Sequence, residues 1–468
     1  MGISTDSSRE TRATAARAGV HAGVHAATTD AERRRRVRLL EWQQLATLGA
    51  DSLETVYSQL GLMMTRQGGD GTRSAGADAK GQRTRVLLYT NTRLIGGMEE
   101  HMELIARHLD RRRFEVFSIC PALESLAPFH ESLIKYSDHF APITFDYEHP
   151  FNFPALVRQI HNWRVDVMHM HNGYYRGQNL SLLAAMVAGV RKVYVTEHLA
   201  PEQPEMRHHA LMRNLFVRFV SGTICVSEKN HQAREKLLFT PPERTFIVEN
   251  GVDLDDFAPI PTATLADLRA RYSLPADAEI VGTIVRFEPP KGLEYLIDAM
   301  VKIRQARPKA YLLMVGDGTI RAELEARCAR LNLTEFTRFT GFQTEPRPYL
   351  GLMDVFVLPV PVGSMSIALL EAMAMSRAVV MTFGGKGEAV VHGENGLCAE
   401  PRSADAIAEA VIKLLDSTEL RTKLGVAARR HVEQHFSAET TARKLEAIYS
   451  GSLDSSLAFS RRQTQQSA

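Results

Sequence analysis

The chain has 468 residues, 44% hydrophobic and 24% charged, an ordinary globular balance with enough apolar material for two substantial cores. Its 56 Lys and Arg against 54 Asp and Glu leave a formal charge of +2, so no global field argues for nucleic acid or a highly acidic partner, and any basic site must be local. Cys120, Cys225, Cys328 and Cys398 stand far apart in or beside apolar runs, which excludes a CxxC redox pair and a zinc spacing and points to buried thiols in a reducing cytosol.

Residues 1 to 30 are rich in Ser, Thr, Ala and Gly without periodicity, which reads as disorder; MGISTDSSRETRATAARAG lacks the apolar middle of a secretory signal. Between Ala31 and Thr65 a helical period appears (Val37, Leu40, Leu45, Leu48, then Leu53, Val56, Leu60, Met63), opened by the basic run Arg33 to Arg36. It reads as a helical arm packed on protein or as an amphipathic helix lying on an anionic membrane surface. Gln67 to Gln82, dense in Gly, Ser and Asp, is a linker. No apolar stretch approaches the roughly 20 residues that span a bilayer, so the expectation is a cytoplasmic protein, peripheral to the inner membrane face if the arm docks there.

From Arg85 short β-branched runs alternate with helical periods, the pattern of βαβ units and a parallel sheet. The strands expected first are Val86 to Tyr89, Val116 to Ile119, Ile143 to Phe145, Val165 to His169, Val193 to Thr196 and Thr223 to Val226. A helix follows the first strand, with Met98, Met102, Ile105 and Leu109 on one face. A second series supplies Ile280 to Val285, Tyr311 to Val315, Val355 to Leu358 and Val379 to Met381, with Leu293, Leu296, Ile297 and Met300 marking a helix between them. Two doubly wound α/β sheets in tandem follow, with ligands at the carboxyl ends of their strands.

Four strand-end loops carry chemistry. In NTRLIGGMEEHM, Gly96 and Gly97 precede a helix, where exposed amides and the helix dipole favour phosphate; a tight strand-to-helix turn explains the pair equally well. RFEPPKG puts Arg286 and Lys291 five residues apart, suited to a diphosphate, although surface loops often carry such pairs. Glu371 opens the apolar helix LLEAMAM, where a carboxylate is costly unless it accepts hydrogen bonds; ribose hydroxyls are natural donors, and helix-end electrostatics is the bland alternative. TFGGKGEAV again supplies glycine amides, around Gly385, with Lys386 and Glu388 beside them. His169 and His171 alternate along a strand end and are expected to face opposite sides, which argues against a metal pair; His171 is a cleft candidate and His169 structural.

The ordered series GGMEEH, VDVMHMH, VTEH, CVSE, VENGVDLDDF, GTIVRFEPPKG, LLMVGDG, FTGF, IALLEAMA and GGKGEAVVHGENGL resembles the GT-B glycosyltransferases of family 4, also called glycosyl transferases group 1, over residues 85 to 450. The resemblance implies a GT-B fold, two Rossmann-like doubly wound domains facing across a cleft. Residues 1–84 would be an extension, 85–255 the acceptor domain, 256–432 the nucleotide-sugar domain, 433–450 a helix crossing back, and 451–468 a disordered tail. It implies retention of configuration and no metal or other cofactor. Arg286 and Lys291 become the diphosphate clamp and Glu371 the ribose carboxylate. Gly96 and Gly97 lie near the phosphate and acceptor, Gly341 and Phe342 frame the base, and His198 lies near the donor sugar.

The family's E-x7-E pattern wants a sugar-contacting acid at Gly363, and a one-residue shift would offer only Val362. Ser364, Ser366 or Glu388 could compensate. The expected activity is hexosyl transfer from a nucleotide diphosphate sugar to a hydroxyl acceptor (a sugar, a lipid-linked sugar or a small molecule) in cell-surface polysaccharide or glycoconjugate assembly. The competing readings are a catalytically degenerate sugar-nucleotide-binding scaffold of an assembly complex, and hydrolysis or epimerisation of the sugar nucleotide.

Overall fold

The computed structural model describes residues 83–146, 148–172, 178–198, 219–235, 244–361, 366–382 and 389–452, all within one compact unit spanning 70–468. The helical arm expected over 31–65, the linker and the tail from residue 453 lie outside the described residues.

The first sheet contains β1 (Thr84–Thr90), β2 (Phe114–Cys120), β3 (His139–Pro142), β4 (Val167–Asn172), β5 (Lys192–Glu197), β6 (Gly222–Cys225) and β7 (Thr245–Ile247), in the order β3-β2-β1-β4-β5-β6-β7. Every pairing is parallel. Parallel strands are covered on both faces, which is why their sequences are runs of apolar residues without alternation; Val86, Leu87 and Leu88 are all fully buried. The second sheet runs β10-β9-β8-β11-β12-β13, from β8 (Glu279–Ile284), β9 (Ala310–Val315), β10 (Thr337–Phe339), β11 (Val355–Leu358), β12 (Ala378–Met381) and β13 (Leu397–Cys398). It too is all parallel.

One strand was expected over Ile143 to Phe145, but β3 lies just before it. The ladder with β2 pairs Phe117 with His139 and Ile119 with Ala141. Ile143 still donates its amide to the Cys120 carbonyl at 2.8 Å, and the chain leaves β2 only beyond it, with Phe145 buried in the core. A short buried apolar run marks the sheet edge but not the register of its ladder. The short strands β7, β10 and β13, of three, three and two residues, carry too little pattern to be read from sequence.

Helix α1 (Gly97–His108) follows β1 and packs Met102, Ile105 and Ala106 against the first sheet. Its acidic first turn (Glu99, Glu100) and basic last turn (Arg107, His108) match the helix dipole. Truncating Ile105 to Ala would cost about 2–5 kcal/mol through transfer and cavity effects. Helix α2 (Leu293–Ala306) covers the second sheet with Leu293, Leu296, Ile297 and Met300, all at most 1% exposed. Helix α3 (Ile367–Ala374) is capped by the Ser366 hydroxyl, which accepts from the Leu369 amide at 3.4 Å.

Helix α4 (Ala438–Ser450) ends the described chain and returns to the first sheet, where Leu445, Ile448 and Tyr449 join the core of β1 and β4. Lys192 Nζ donates to the Tyr449 carbonyl at 2.8 Å and Tyr194 Oη to the Ile448 carbonyl at 3.0 Å. The VDLDDF stretch works as a joint between the sheets. Asp253 Oδ2 meets Arg107 Nη2 at 3.0 Å and His108 Nε2 at 2.7 Å, while Asp256 takes Arg107 Nη1 at 2.7 Å. Gly251 lies against α4 so closely that a Cβ would fall 2.6 Å from Thr441 Oγ1 and 2.9 Å from the Ser437 carbonyl oxygen.

Strand order reverses once in each sheet, between β1 and β4 and between β8 and β11. At such switch points the connections leave in opposite directions and open a crevice at the carboxyl ends of the strands. The Gly96 loop and His171 stand at the first switch point. At the second, Arg286 follows β8, and the segment after β11 leads to Glu371.

Candidate active site

Gly96 is the extended N-terminal boundary of α1 (φ −174°, ψ −164°), and its carbonyl accepts from the amides of Glu99 and Glu100 at 3.0 and 3.1 Å. The loop opens against the second sheet. Arg286, exposed after β8, reaches across to it, with Nη2 3.4 Å from the Ile95 carbonyl. A Cβ on Gly96 would sit 2.6 Å from that same Nη2. A side chain here would push the flexible end of Arg286 aside, so glycine admits the close approach of the guanidinium without any positive φ. On its other side, Gly97 lies against Ile367 at the start of α3. The glycine pair thus sits between the β8 loop and the β11 helix.

Sequence reasoning gave no role to Glu99, which is 3% exposed at this loop. Burial pushes its carboxyl up to about 7, opposed by hydrogen bonds from Thr92 and from the amides of Glu99 and Gly96 and by the charge of Arg286. The same amides that suit an external anion are engaged by the chain's own carboxylate. Only the position two residues after the glycine pair hinted at this.

Lys291 ends the short turn Pro289–Lys291, and Gly292 follows at φ +68°. A Cβ on Gly292 would lie 2.2 Å from the Pro359 carbonyl oxygen and 3.0 Å from Pro361 Cδ. The loop bearing Arg286 and Lys291 is thereby pressed onto the exit of β11. Glu371, one turn into α3, is half-buried, and its carboxylate has no hydrogen-bond partner among the described residues. Its pKa is raised well above the ordinary 4.5 by desolvation first, then by the negative charges of Glu100 and Glu345, with Arg347 opposing. The acid thus stands close enough to Glu100 of α1 to feel its charge. Ser366, considered as a sugar-side hydroxyl, is occupied as the cap of α3.

Gly341 and Phe342 follow β10. Gly341 has φ +74° and its carbonyl accepts from Gly316 at 3.0 Å; Phe342 is 56% exposed, an aromatic face left open at a strand's carboxyl end. Gly385, Glu388, Lys386, Val362, Gly363 and Ser364 lie outside the described residues.

The histidines correct one expectation. His169 and His171 are two residues apart on β4, so they share a face, and their ring centroids are 4.2 Å apart. His169 is structural: Nδ1 meets Tyr449 Oη at 2.5 Å and Nε2 meets Thr196 Oγ1 at 2.6 Å. His171 is fully buried and touches His198, with Nδ1 3.4 Å from His198 Nε2. His101 of α1, not singled out from sequence, completes the group at ring distances of 5.2 Å from His198 and 5.7 Å from His171. Burial keeps the imidazoles neutral, helped by mutual repulsion at all but His101: His101 falls to about 4, His169 to about 3, and His171 and His198 well below 6.5. His198, only partly buried, is the member that reaches the cleft.

Two parallel doubly wound sheets with both switch points turned to one inter-sheet cleft define the GT-B class of glycosyltransferases. Among solved structures, Anabaena HepE in complex with UDP and glucose matches with a TM-score of 0.68 at 20% identity, over 79% of this chain and 100% of that one. WaaG, described as a glycosyltransferase involved in lipopolysaccharide biosynthesis, matches with a TM-score of 0.58 at 15% identity, over 79% and 100%. The family model "Glycosyltransferase Family 4" matches residues 95–256 and "Glycosyl transferases group 1" matches 278–417. The GDP-mannose-dependent alpha-(1-6)-phosphatidylinositol monomannoside mannosyltransferase of Mycobacterium tuberculosis is 30% identical over 286 residues, covering 58% of this chain and 73% of that relative. The lipopolysaccharide core biosynthesis glycosyltransferase LpsE of Rhizobium meliloti is 33% identical over 172 residues, covering 36% and 49%. This chain belongs to glycosyltransferase family 4, the glycosyl transferases of group 1.

Proposed function

We propose that the protein transfers a hexose from a nucleotide diphosphate sugar to a hydroxyl acceptor with retention of configuration and without a catalytic metal. Residues 85–255 would serve the acceptor and 256–432 the donor. The observation that carries this reading is the meeting of Arg286 from one sheet with the Gly96 loop of the other. A diphosphate placed there gains a guanidinium, a nearby Lys291 and the positive end of the α1 dipole, which together stabilise the charge that builds as it departs. Glu371 accepts from the ribose hydroxyls, and the exposed ring of Phe342 flanks the base. Glycine amides around Gly385, with Glu388, complete the donor side. His198 hydrogen-bonds a hydroxyl of the sugar through a neutral imidazole, with His171 beneath it on the acceptor side.

The reaction is a front-face displacement. The acceptor oxygen bonds to the anomeric carbon on the face from which the phosphate oxygen leaves, and the acceptor proton passes to that departing oxygen. No enzyme carboxylate forms a covalent intermediate.

The relatives direct the choice of donor to test. GDP-mannose is named in the mycobacterial relative and UDP with glucose in the Anabaena neighbour, so these two head the panel. An acceptor in cell-surface glycoconjugate assembly, including lipid-linked sugars, fits the printed roles of the relatives. No helix among the described residues is long and apolar enough to cross a membrane, so a lipid acceptor would be met at the surface, with the arm over 31–65 as the docking element.

Incubating the purified chain with nucleotide sugars, with and without acceptors, and measuring nucleoside diphosphate release and glycosylated product tests the proposal. Release coupled to an acceptor supports it. Binding of every donor with no release would favour the scaffold reading, for which the specific observation is Gly363 in place of the acid of E-x7-E.

A further inference from the structure

Beneath the sugar side of the cleft lies a cluster whose polar atoms the transfer reaction leaves unexplained. His101, His171 and His198 come from three different elements, α1, the end of β4 and the residue after β5. Each offers a ring nitrogen, and the three atoms all lie within 4.8 Å of one another. The separation of His171 Nδ1 and His198 Nε2, 3.4 Å, is close to the roughly 3.3 Å edge of a tetrahedron whose metal to nitrogen bonds are about 2.0–2.1 Å.

His101 and His171 are fully buried. Neither nitrogen of His101, nor Nε2 of His171, has a hydrogen-bond partner among the described residues. Leaving a buried polar atom unsatisfied costs about 1–3 kcal/mol, and a metal held by Nδ1 of His171 and Nε2 of His198 would engage one of the two open nitrogens of His101. Neighbouring His169 shows the ordinary solution, with both of its nitrogens engaged by Tyr449 and Thr196.

We propose that His101, His171 and His198 form a three-histidine site for a divalent transition metal of the zinc class, with the fourth position open toward the cleft. Imidazole donors without carboxylates favour zinc, cobalt, nickel or copper over magnesium or calcium. Entry is past His198, the partly exposed member. His169, held by Tyr449 and Thr196, packs its ring 4.2 Å from that of His171 and fixes where it lies. The site shares His198 with the proposed transfer chemistry, on which this inference rests for its consequence, and opposes it. Where the proposed sugar contact of His198 holds, a metal claims the same Nε2 and slows turnover, so the cluster acts as a metal-sensitive brake.

The test uses the tag-free full chain, stripped with chelator and titrated with cobalt(II) alone. One equivalent should bind with the intense visible bands of a tetrahedral ion, and zinc should displace it. His101→Gln and His171→Gln should each weaken binding about tenfold or more. His149→Ala should not, although Asp146, Glu148 and His149 form an exposed trio that could also collect an ion. Absence of stoichiometric binding to the unmutated chain or an octahedral spectrum would overturn the site, and neither depends on a variant folding; so would loss of binding with His149→Ala alone in a variant whose thermal melt matches the unmutated chain. Zinc inhibition of donor turnover, reversed by chelator, is the expected consequence. Metal bound at one equivalent with turnover unchanged would leave the site standing and refute the braking role together with the sugar contact of His198.

Discussion

The two switch points are built from opposite chemistry. The first, between β1 and β4, is lined by glycine backbone and by neutral imidazoles, with the buried acid Glu99 folded back onto the helix terminus. The second, between β8 and β11, supplies long charged side chains, Arg286 and Lys291 from the segment after β8 and Glu371 from α3. A departing diphosphate needs cations that can close on it, and an acceptor needs shape and hydrogen-bonding groups without a competing charge. The division places charged side chains on one wall and glycine backbone with neutral imidazoles on the other, joined where Arg286 rests on the Gly96 loop.

The comparison is broken most severely by removing the charged wall. Arg286→Ala should lower kcat/KM for transfer about 100- to 1000-fold, as the loss of a preorganised donor to developing charge does, with little effect on thermal stability because the side chain is exposed. Steady-state kinetics beside a thermal melt checks both halves. Lys291→Ala should follow in the same direction.

Glu371→Gln sharpens the contrast in two directions at once. Nucleoside diphosphate affinity should fall about 10- to 100-fold, measured by calorimetry, because a charged acceptor is lost from the ribose. Stability should move the other way. A carboxyl whose folded pKa is raised favours the fold while protonated; that contribution is complete below about pH 4.5 and drains away as pH climbs through the folded value. The wild-type chain carries the cost at neutral pH and the Gln variant does not, so the variant should be more stable at pH 8 by on the order of 1 kcal/mol and indistinguishable near pH 4. Denaturant titrations at the two pH values decide this.

On the imidazole wall the effects are smaller and appear in stability. Tyr449→Phe leaves Nδ1 of buried His169 without its partner and should cost about 1–2 kcal/mol in unfolding free energy, while kcat changes by less than about threefold. A large loss of kcat with unchanged stability would mean that the histidine layer is catalytic in a way the geometry does not provide.

How much of this could be read from sequence follows the same division. The long buried strands were legible because parallel sheets demand continuous apolar runs, and β11, Val355–Leu358, coincides with the expected span. The glycine pair, Arg286, Lys291 and Glu371 were legible because strand ends announce themselves and ligand loops follow them. The imidazole layer was not. A histidine on the apolar face of α1 looks like any core residue, and only the closure of α1 over β4 and β5 brings His101 to His171 and His198. The pairing of His169 with His171 was misjudged by applying alternation to residues that are two apart. Glu99 escaped because its role depends on the fold-back of a helix terminus, which leaves no periodic trace. The edge strand β3 was displaced because its ladder is set by the register of β2 rather than by the hydrophobicity of Ile143 and Phe145.

A double-mutant cycle between Gly96→Ala and Arg286→Ala, read as kcat/KM for transfer, tests the central claim most directly. If both sheets hold one diphosphate through this contact, the added methyl displaces a guanidinium that the second variant no longer has, and the two losses should overlap by at least about 1 kcal/mol. Strict additivity would contradict the account, because it would mean that the Gly96 loop and Arg286 act on separate events.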